Sequence, residues 1–169
     1  NIHLTERERL GMNWQEVCAD KHLQDLPYKI ELNEQGQILM TPVRLYHSAW
    51  QGEIIRWLLR LTDSGKALPE VAIATAQGTK VADVVWCSDT LWQQIKHEVE
   101  SPVAPEICVE VLSPANTADE MLRKRMLYLA HGAEEVWLCS KDGTMQFFSA
   151  DGALERSGLV PQLPTHLEL

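Results

Sequence analysis

No segment of the 169-residue sequence approaches the run of roughly 18 apolar residues that a membrane-spanning helix needs. The pattern of a secretory signal peptide is not present either. Internal repeats, low-complexity segments and linkers are also lacking, so nothing marks a second domain. With 45% hydrophobic and 23% charged residues, the chain has enough apolar material for a real core. We therefore expect one soluble, cytoplasmic globular domain over residues 1–169.

Closely spaced cysteines are missing as well. The chain has four cysteines, none of them in a C-x-x-C pair, and three lie in apolar, strand-like runs. They are Cys18, Cys87, Cys108 and Cys139. This spacing favours buried free thiols in a reducing compartment over disulfides or a zinc site.

Basic residues are outnumbered, and the formal net charge is -9 at pH 7. Contacts to nucleic-acid phosphates require a basic surface, so this charge argues against a general nucleic-acid coat. It does not exclude a local basic cleft. The compact basic cluster in the sequence is Arg123, Lys124 and Arg125.

The most informative stretch runs from Pro105 to Pro114. Within it, residues 107–112 are mostly apolar and rich in β-branched side chains, which predicts a buried strand. Glu110 lies in the middle of this strand. Burying an ionised carboxylate costs several kcal/mol unless a cation or a metal compensates it. Two interpretations stay open: Glu110 faces solvent or pairs with a basic neighbour, or it belongs to a functional site.

A helix is predicted to follow this strand after the connection 113–116. Thr117 and Glu120 have the spacing of a capping box, and Gly132 marks the end of the helix. Lys124 is about 10 Å along the helix axis from the cap. Glu110 lies about 7 Å back along the strand from its end. Because the helix should fold back along the strand, the Lys124 ammonium is expected to reach the Glu110 carboxylate.

A second acid, Asp83, is also embedded in an apolar strand. Residues 71–75 and 80–87 are predicted to form a hairpin around the turn 76–79, with Asp83 in its second strand. One acid in such a strand is often a turn or edge residue. Two acids in neighbouring strands, here Asp83 and Glu110, are a common way to hold a divalent cation through oxygen ligands.

The remaining elements carry weaker functional signals. A short helix capped by Asn13 precedes a hairpin of residues 28–32 and 37–40, in which Glu31 is favoured as a cross-strand or solvated acid. A helix is predicted from Thr41-Pro42 to about residue 62, with His47 and Gln51 toward its buried side. These two are either satisfied core groups or face a cleft. A helix at 88–100 and strands at 135–140 and 145–149 complete the prediction.

Several of these features occur together along the chain, namely Asp83 in its apolar strand, Val109 to Pro114, Lys124, Tyr128, Gly132, Ala133, Glu135 and Trp137. They resemble the Uma-type restriction-endonuclease family, within the PD-(D/E)xK nuclease superfamily. The resemblance extends from about Tyr28 to Pro164 and is most specific from Pro105 to Trp137. It implies an α/β fold of the restriction-endonuclease-like α/β/α type, with a mixed central sheet.

The resemblance also implies the ligands of a metal. Asp83 corresponds to the first acid of the superfamily motif and Glu110 to the second. Both are expected to bind Mg²⁺, for which Mn²⁺ can substitute, with the main-chain carbonyl of Val111 as a further ligand. Leu112 stands where the motif lysine belongs. In this family the lysine has migrated to the following helix, and Lys124 matches it.

Other positions match the family less closely. Ala82 replaces the proline that usually precedes the first acid. The catalytic set implied by the resemblance is completed by a residue of the first long helix, for which Gln51 lies on a better face than Glu53. Glu31 resembles a recurrent acid of the family on the first hairpin.

The function implied by the resemblance is metal-dependent hydrolysis of phosphodiester bonds in nucleic acid, with DNA as the expected partner. A homodimer is expected, because cutting both strands of a duplex takes two active sites. A second hypothesis stays open: a non-catalytic interaction or nucleic-acid-associated module on a nuclease scaffold. The acidity of the chain favours the module, whereas the joint presence of Asp83, Glu110 and Lys124 favours the enzyme.

Overall fold

The computed structural model describes residues 11–169, so residues 1–10 of the predicted domain lie outside the described part of the chain. Its strands are β1 (Tyr28–Leu32), β2 (Ile38–Pro42), β3 (Lys66–Thr75), β4 (Gly78–Cys87), β5 (Ile107–Val111), β6 (Glu135–Cys139), β7 (Met145–Ser149) and β8 (Gly152–Leu154). Strands β3 to β8 form one sheet in chain order, and β1 pairs with β2 in a separate hairpin. The large sheet is mixed, as predicted, because β5 and β6 are parallel while its other neighbours are antiparallel.

The helices are α1 (Trp14–Ala19), α2 (Leu45–Leu61), α3 (Asp89–Ile95) and α4 (Ala118–Ala130), with a 3-10 turn at Lys21–Leu23. Helix α2 packs against one face of the large sheet through Trp50, Ile54 and Leu58. Helix α4 lies on the other face, where Tyr128 is fully buried. None of the helices between residues 11 and 169 has the length and apolar character needed to cross a membrane.

Alternation along β5 assigns its residues to the two faces of the sheet. Ile107, Val109 and Val111 join the cluster under α2, whereas Cys108 joins the cluster on the α4 side. Since neighbouring side chains on a strand point to opposite faces, Glu110 shares the Cys108 face. The two-residue period therefore brings the Glu110 carboxylate under helix α4.

Helix α4 makes the crossover between the parallel strands β5 and β6. Its predicted capping box is present: Glu120 N donates to Thr117 Oγ1 at 3.1 Å, and Thr117 N donates to Glu120 Oε2 at 3.0 Å. The helix ends before Gly132, whose φ of 117° lies in the region that favours glycine. The cap fixes the first turn of the helix that carries Lys124.

Replacing Thr117 with Ala is expected to lower the free energy of unfolding by about 1 kcal/mol, because the main-chain N–H of Glu120 loses the hydroxyl that accepts its hydrogen bond. Urea denaturation followed by circular dichroism measures the change. Thr90→Ala, at an exposed position within α3, is the matched control and should stay within about 0.5 kcal/mol of wild type. Equal effects of the two substitutions would show that the cap does not stabilise α4 in the folded protein.

Helix α2 begins at Leu45, so the predicted start at Thr41-Pro42 was wrong. Pro42 pairs with Tyr28 as the last residue of β2, and Arg44 is still extended before the helix. Proline fixes φ near -65° and lacks an N–H, which suits the first turn of a helix but also the end of an edge strand. The proline signal alone could not decide between the two.

Two other boundaries differ from the prediction by five residues. Helix α3 ends at Ile95 rather than at residue 100, because the chain turns back so that Glu100 accepts a hydrogen bond from Thr79 on β4. Strand β3 begins at Lys66 rather than at Val71 and contains Pro69. A proline is tolerated there because β3 is the edge strand of the sheet.

The hairpin of β1 and β2 is attached to β4 by two polar contacts. Lys80 Nζ donates to the main-chain carbonyl of Leu32 at 2.9 Å, and Glu31 Oε2 accepts from Val81 N at 2.8 Å. Lys29 and Glu31 are two residues apart on β1 and therefore share one face. The attachment holds both side chains over the Asp83 region of β4.

Three of the four cysteines are buried free thiols, as predicted, whereas Cys18 is not buried. All four thiols are free, with Cys87, Cys108 and Cys139 buried and Cys18 exposed. Burial raises the pKa of the Cys108 thiol well above its ordinary value, so this group is an unreactive core residue.

Candidate active site

The two acids singled out from the sequence converge on one point. Asp83 on β4 is 1% exposed and Glu110 on β5 is 2% exposed. The Lys29 ammonium lies between them, 3.1 Å from Asp83 Oδ1 and 3.4 Å from Glu110 Oε2. A buried carboxylate is costly unless a cation compensates it, and here one ammonium serves both acids.

The second carboxylate oxygen of Asp83 is held by β5 and by helix α2. Asp83 Oδ2 accepts from Val111 N at 2.8 Å and lies 3.3 Å from His47 Nε2. Gln51 Nε2 donates to the main-chain carbonyl of Asp83 at 2.8 Å. The strand and the helix thus fix both the side chain and the backbone of Asp83.

Both ring nitrogens of His47 face oxygen atoms. His47 Nε2 lies 3.2 Å from the Val111 carbonyl oxygen, and Nδ1 lies 3.3 Å from Gln51 Oε1. Since carbonyl and carboxylate oxygens only accept, an imidazolium that donates from both nitrogens satisfies this arrangement best. The hydrogen bond to Asp83 accordingly raises the pKa of His47, against the opposing effect of burial.

Glu110 is held from the opposite side by helix α4. Its Oε1 accepts from the Tyr128 hydroxyl at 2.7 Å and from Lys124 Nζ at 3.2 Å. The reach of Lys124 to Glu110 that the helix geometry predicts is therefore observed. Tyr128 has no other role in the core that requires a hydroxyl, so its O–H serves to orient this carboxylate.

Lys124 also pairs with Glu31 on the hairpin. Lys124 Nζ lies 2.8 Å from Glu31 Oε2 and 3.1 Å from Oε1. The cluster thus contains three carboxylates, of Asp83, Glu110 and Glu31, and two ammonium groups, of Lys29 and Lys124. With His47 protonated, the charges of the cluster balance.

Burial and the neighbouring charges shift the pKa values of the three acids differently. Burial raises the pKa of Glu110 to about 7, although Lys124 and Lys29 oppose this shift. Burial acts in the same direction on Asp83, but Lys29 and His47 outweigh it and hold the pKa of Asp83 well below its ordinary value. For Glu31, Lys124 and Lys29 likewise outweigh burial and lower the pKa. Asp83 and Glu31 are therefore ionised at neutral pH, whereas Glu110 is close to its midpoint.

The cluster forms the floor of an open cavity of about 90 Å³. Its walls include Arg44, Ser48 and Asn116 as well as the charged residues. A neighbouring groove of about 420 Å³ shares Glu31 and Lys124 with the cavity and is also lined by Arg123. Ligands can therefore approach the acids from the side on which helix α4 carries its basic residues.

The structure brings together Asp83, Glu110, Lys124 and Gln51, the four residues that the sequence nominated as a catalytic set. Gln51 faces the cleft, but its amide contacts the backbone of Asp83 and the ring of His47. Glu53, the alternative on the same helix, pairs with Arg56 at 3.7 Å and does not line the cavity. His47 and Gln51 were predicted either as satisfied core groups or as groups that face a cleft. Both line the cavity, and both are also hydrogen-bonded.

Sequence reasoning missed Lys29 and the contact made by Tyr128. Lys29 meets Asp83 across 54 residues of sequence, and no local pattern marks that approach. A signal was nevertheless present, because strand alternation puts Lys29 on the same face as Glu31. The Tyr128 position follows from helical spacing, one turn beyond Lys124 on the same face of α4.

The donor set fits a hard divalent cation. Asp83 and Glu110 supply carboxylate oxygens, and the Val111 carbonyl oxygen shares His47 Nε2 with Asp83. Among the described residues, no group of three or more histidine, cysteine or acidic side chains has the arrangement of a metal site. A cation at this point would therefore have two carboxylate ligands, from Asp83 and Glu110. The Lys29 ammonium lies between the two acids, which shows that this position attracts a cation.

Comparison with known proteins assigns the chain to a family. No curated protein sequence matches the chain. The crystal structure of a "putative nuclease belonging to DUF820" from Anabaena variabilis ATCC 29413 has a TM-score of 0.62, with 21% identity over 92% of this chain and 83% of that one. This likeness confirms the predicted α/β fold. The sequence model of the Uma2 family, described as "Putative restriction endonuclease", matches residues 20–167. The chain therefore belongs to the Uma2 family.

Proposed function

We propose that the chain is a metal-dependent nuclease that hydrolyses phosphodiester bonds of DNA, with Asp83, Glu110 and Lys124 at its active centre. One observation carries the proposal: two buried acids from neighbouring strands meet a lysine of the next helix on the floor of an open cavity. A fold without chemistry has no need for three carboxylates at one buried point, because each adds a desolvation cost.

The residues that would hold the metal are Asp83 and Glu110, with the carbonyl of Val111. When bound there, Mg²⁺ or Mn²⁺ supplies a Lewis acid that polarises the scissile phosphate and lowers the pKa of a coordinated water. Gln51 holds the backbone of Asp83 in place, and Tyr128 holds Glu110. The ligands therefore sit on rigid elements before any metal arrives.

Lys124 has the role of a fixed positive charge beside the reacting phosphate. Its Nζ contacts Glu110 and Glu31 and lines both the cavity and the neighbouring groove. A preorganised cation in a partly desolvated site stabilises negative charge that develops in the transition state. Glu31, itself held by Val81 N, keeps the Lys124 side chain turned toward Glu110.

The proposal includes a homodimer, because cleavage of both strands of a duplex needs two active centres. It also includes the cytoplasm as the compartment, since free and mostly buried thiols are typical of a reducing environment.

A second candidate function is a non-catalytic interaction module that keeps the nuclease scaffold. The observation in its favour is that every acid of the cluster already contacts a basic side chain: Lys29 and His47 contact Asp83, Lys29 and Lys124 contact Glu110, and Lys124 contacts Glu31. Paired groups of this kind can form a structural polar core.

A cleavage assay separates the two functions. Purified protein is incubated with supercoiled plasmid, linear duplex, single-stranded DNA and single-stranded RNA, in Mg²⁺, Mn²⁺ or EDTA. The nuclease proposal expects cleavage of at least one DNA form in Mg²⁺ or Mn²⁺ and none in EDTA. Cleavage that persists in EDTA, or no cleavage of any form in either metal, contradicts it. Wild type and the Asp83→Asn variant are prepared in parallel to exclude a contaminating nuclease.

A further inference from the structure

Lys29 occupies an unusual position for a lysine that belongs to no recognised motif of the chain. Its side chain is only 12% exposed, and its ammonium lies between the two acids proposed as metal ligands. Both of the neighbours of its ammonium are carboxylates, so Lys29 places a positive charge at the centre of the cluster.

The attachment of the β1–β2 hairpin to β4 fixes the position of Lys29. The hairpin that carries it is attached to β4 at two consecutive residues of β1: Glu31 accepts from Val81 N, and the Leu32 carbonyl accepts from Lys80. A lysine two residues before Glu31 on the same strand face therefore points at Asp83 whenever the hairpin is docked.

An ammonium and a divalent ion cannot both occupy the gap between Asp83 and Glu110. Mg²⁺ binds carboxylate oxygens at about 2.0–2.1 Å, so an ion held by both acids takes the place where the Lys29 ammonium now lies. Like charges at such short range repel strongly in a site that excludes water. Either the ion displaces Lys29, or Lys29 keeps the ion out.

On the basis of the proposed function, we propose that Lys29 is a built-in competitor of the divalent ion: it holds Asp83 and Glu110 together without metal and is displaced by the metal. Glu31 lies on the same face of β1 and is the acid left to receive the displaced ammonium. The competition gives Lys29 two effects of opposite sign, since it stabilises the metal-free protein and weakens metal binding.

The test is isothermal titration calorimetry of Mn²⁺ and of Mg²⁺ into wild type and Lys29→Met, in which the stem is kept and the charge is removed. Lys29→Met is expected to bind Mn²⁺ at least tenfold more tightly than wild type. Its melting temperature is expected to be lower than that of wild type without metal and to rise more when metal is added. Unchanged or weaker binding by the variant overturns the proposal.

Lys96→Met is the matched control, because Lys96 is exposed on the surface after α3 and also loses one positive charge. Its metal affinity should stay within twofold of wild type. A gain equal to that of Lys29→Met would mean that overall charge, and not the position of Lys29, sets the affinity.

A measurement on the wild-type protein keeps the proposal testable should Lys29→Met fail to fold. Amine labelling by reductive methylation, read by mass spectrometry at each lysine, is compared with and without saturating Mg²⁺. Lys29 is expected to react slowly in the metal-free protein and severalfold faster with metal, whereas Lys96 reacts equally in both. No change at Lys29 overturns the proposal.

Failure of this inference and failure of the proposed function give different results. Metal-dependent cleavage combined with unchanged affinity in Lys29→Met rejects the competition and keeps the nuclease. Tighter binding by Lys29→Met without any cleavage keeps the competition and rejects the nuclease. If neither protein binds a divalent ion, both proposals are wrong.

Discussion

Replacement of Lys124 by Met is expected to reduce Mg²⁺-dependent cleavage by at least about 100-fold, the usual effect of removing one preorganised group that stabilises transition-state charge. Methionine keeps the apolar stem, so the loss isolates the ammonium. Steady-state cleavage rates of a labelled duplex measure the effect, and the loss should appear in kcat more than in KM.

The same substitution should also destabilise the protein. The ion pair of an exposed lysine on a helix surface contributes about 0–1 kcal/mol. In the structure the side chain is only 15% exposed and contacts both Glu31 and Glu110. Removing the ammonium takes from the buried Glu31 carboxylate its ion pair with Lys124, so we expect a loss of about 3 kcal/mol. Urea denaturation of both proteins measures it.

Arg123→Met is the control for Lys124→Met. Arg123 is the preceding residue on the same helix, its side chain is 63% exposed, and it pairs only loosely with Asp119 at 3.8 Å. Its loss should alter DNA affinity and the salt dependence of binding without removing cleavage. A folded Lys124→Met protein that cleaves at more than a third of the wild-type rate would exclude Lys124 from the chemistry.

The second large effect concerns the metal. Asp83→Asn is expected to weaken binding of Mg²⁺ and Mn²⁺ by at least about 100-fold, because an amide supplies neither the negative charge nor the second oxygen of the carboxylate. Calorimetric titration measures the affinity, and the metal-induced rise in melting temperature should disappear with it.

Asp119→Asn is the matched control, since that carboxylate is 85% exposed on the first turn of α4. Asp119→Asn removes one negative charge, as Asp83→Asn does, and should leave metal binding unchanged. Equal affinity of wild type and Asp83→Asn would place the ion elsewhere and would remove the basis of the proposed active centre. The variant must first be shown to fold, because Asp83 also binds Val111 N and Lys29.

Much of the site could be read from local patterns. Asp83 and Glu110 stand out because each interrupts an apolar strand, and burial of a lone acid is costly enough to demand a partner. The link to Lys124 follows from the capping box at Thr117 and the fixed rise of a helix and a strand. These inferences held because the residues involved lie within one strand–helix unit.

Some predicted boundaries of helices and strands were wrong. One reason is that the same residue type can fit two kinds of secondary structure. Pro42 fits the start of a helix as well as the end of an edge strand, and it was assigned to the helix although it ends β2. Helix α3 stopped early because Glu100 is drawn to Thr79, a contact between separate elements. Local propensity cannot anticipate such contacts.

The amino-acid sequence by itself determined the strand–helix–strand unit from Ile107 to Cys139 and the reach of Lys124. Short-range geometry suffices for these, because rises and periods per residue are fixed by the backbone. Only the tertiary structure decided that the first hairpin docks on β4 and inserts Lys29 between Asp83 and Glu110. Lys29 and Asp83 are more than fifty residues apart in the sequence, so their contact depends on the packing of the whole sheet. No local sequence pattern predicts such a contact.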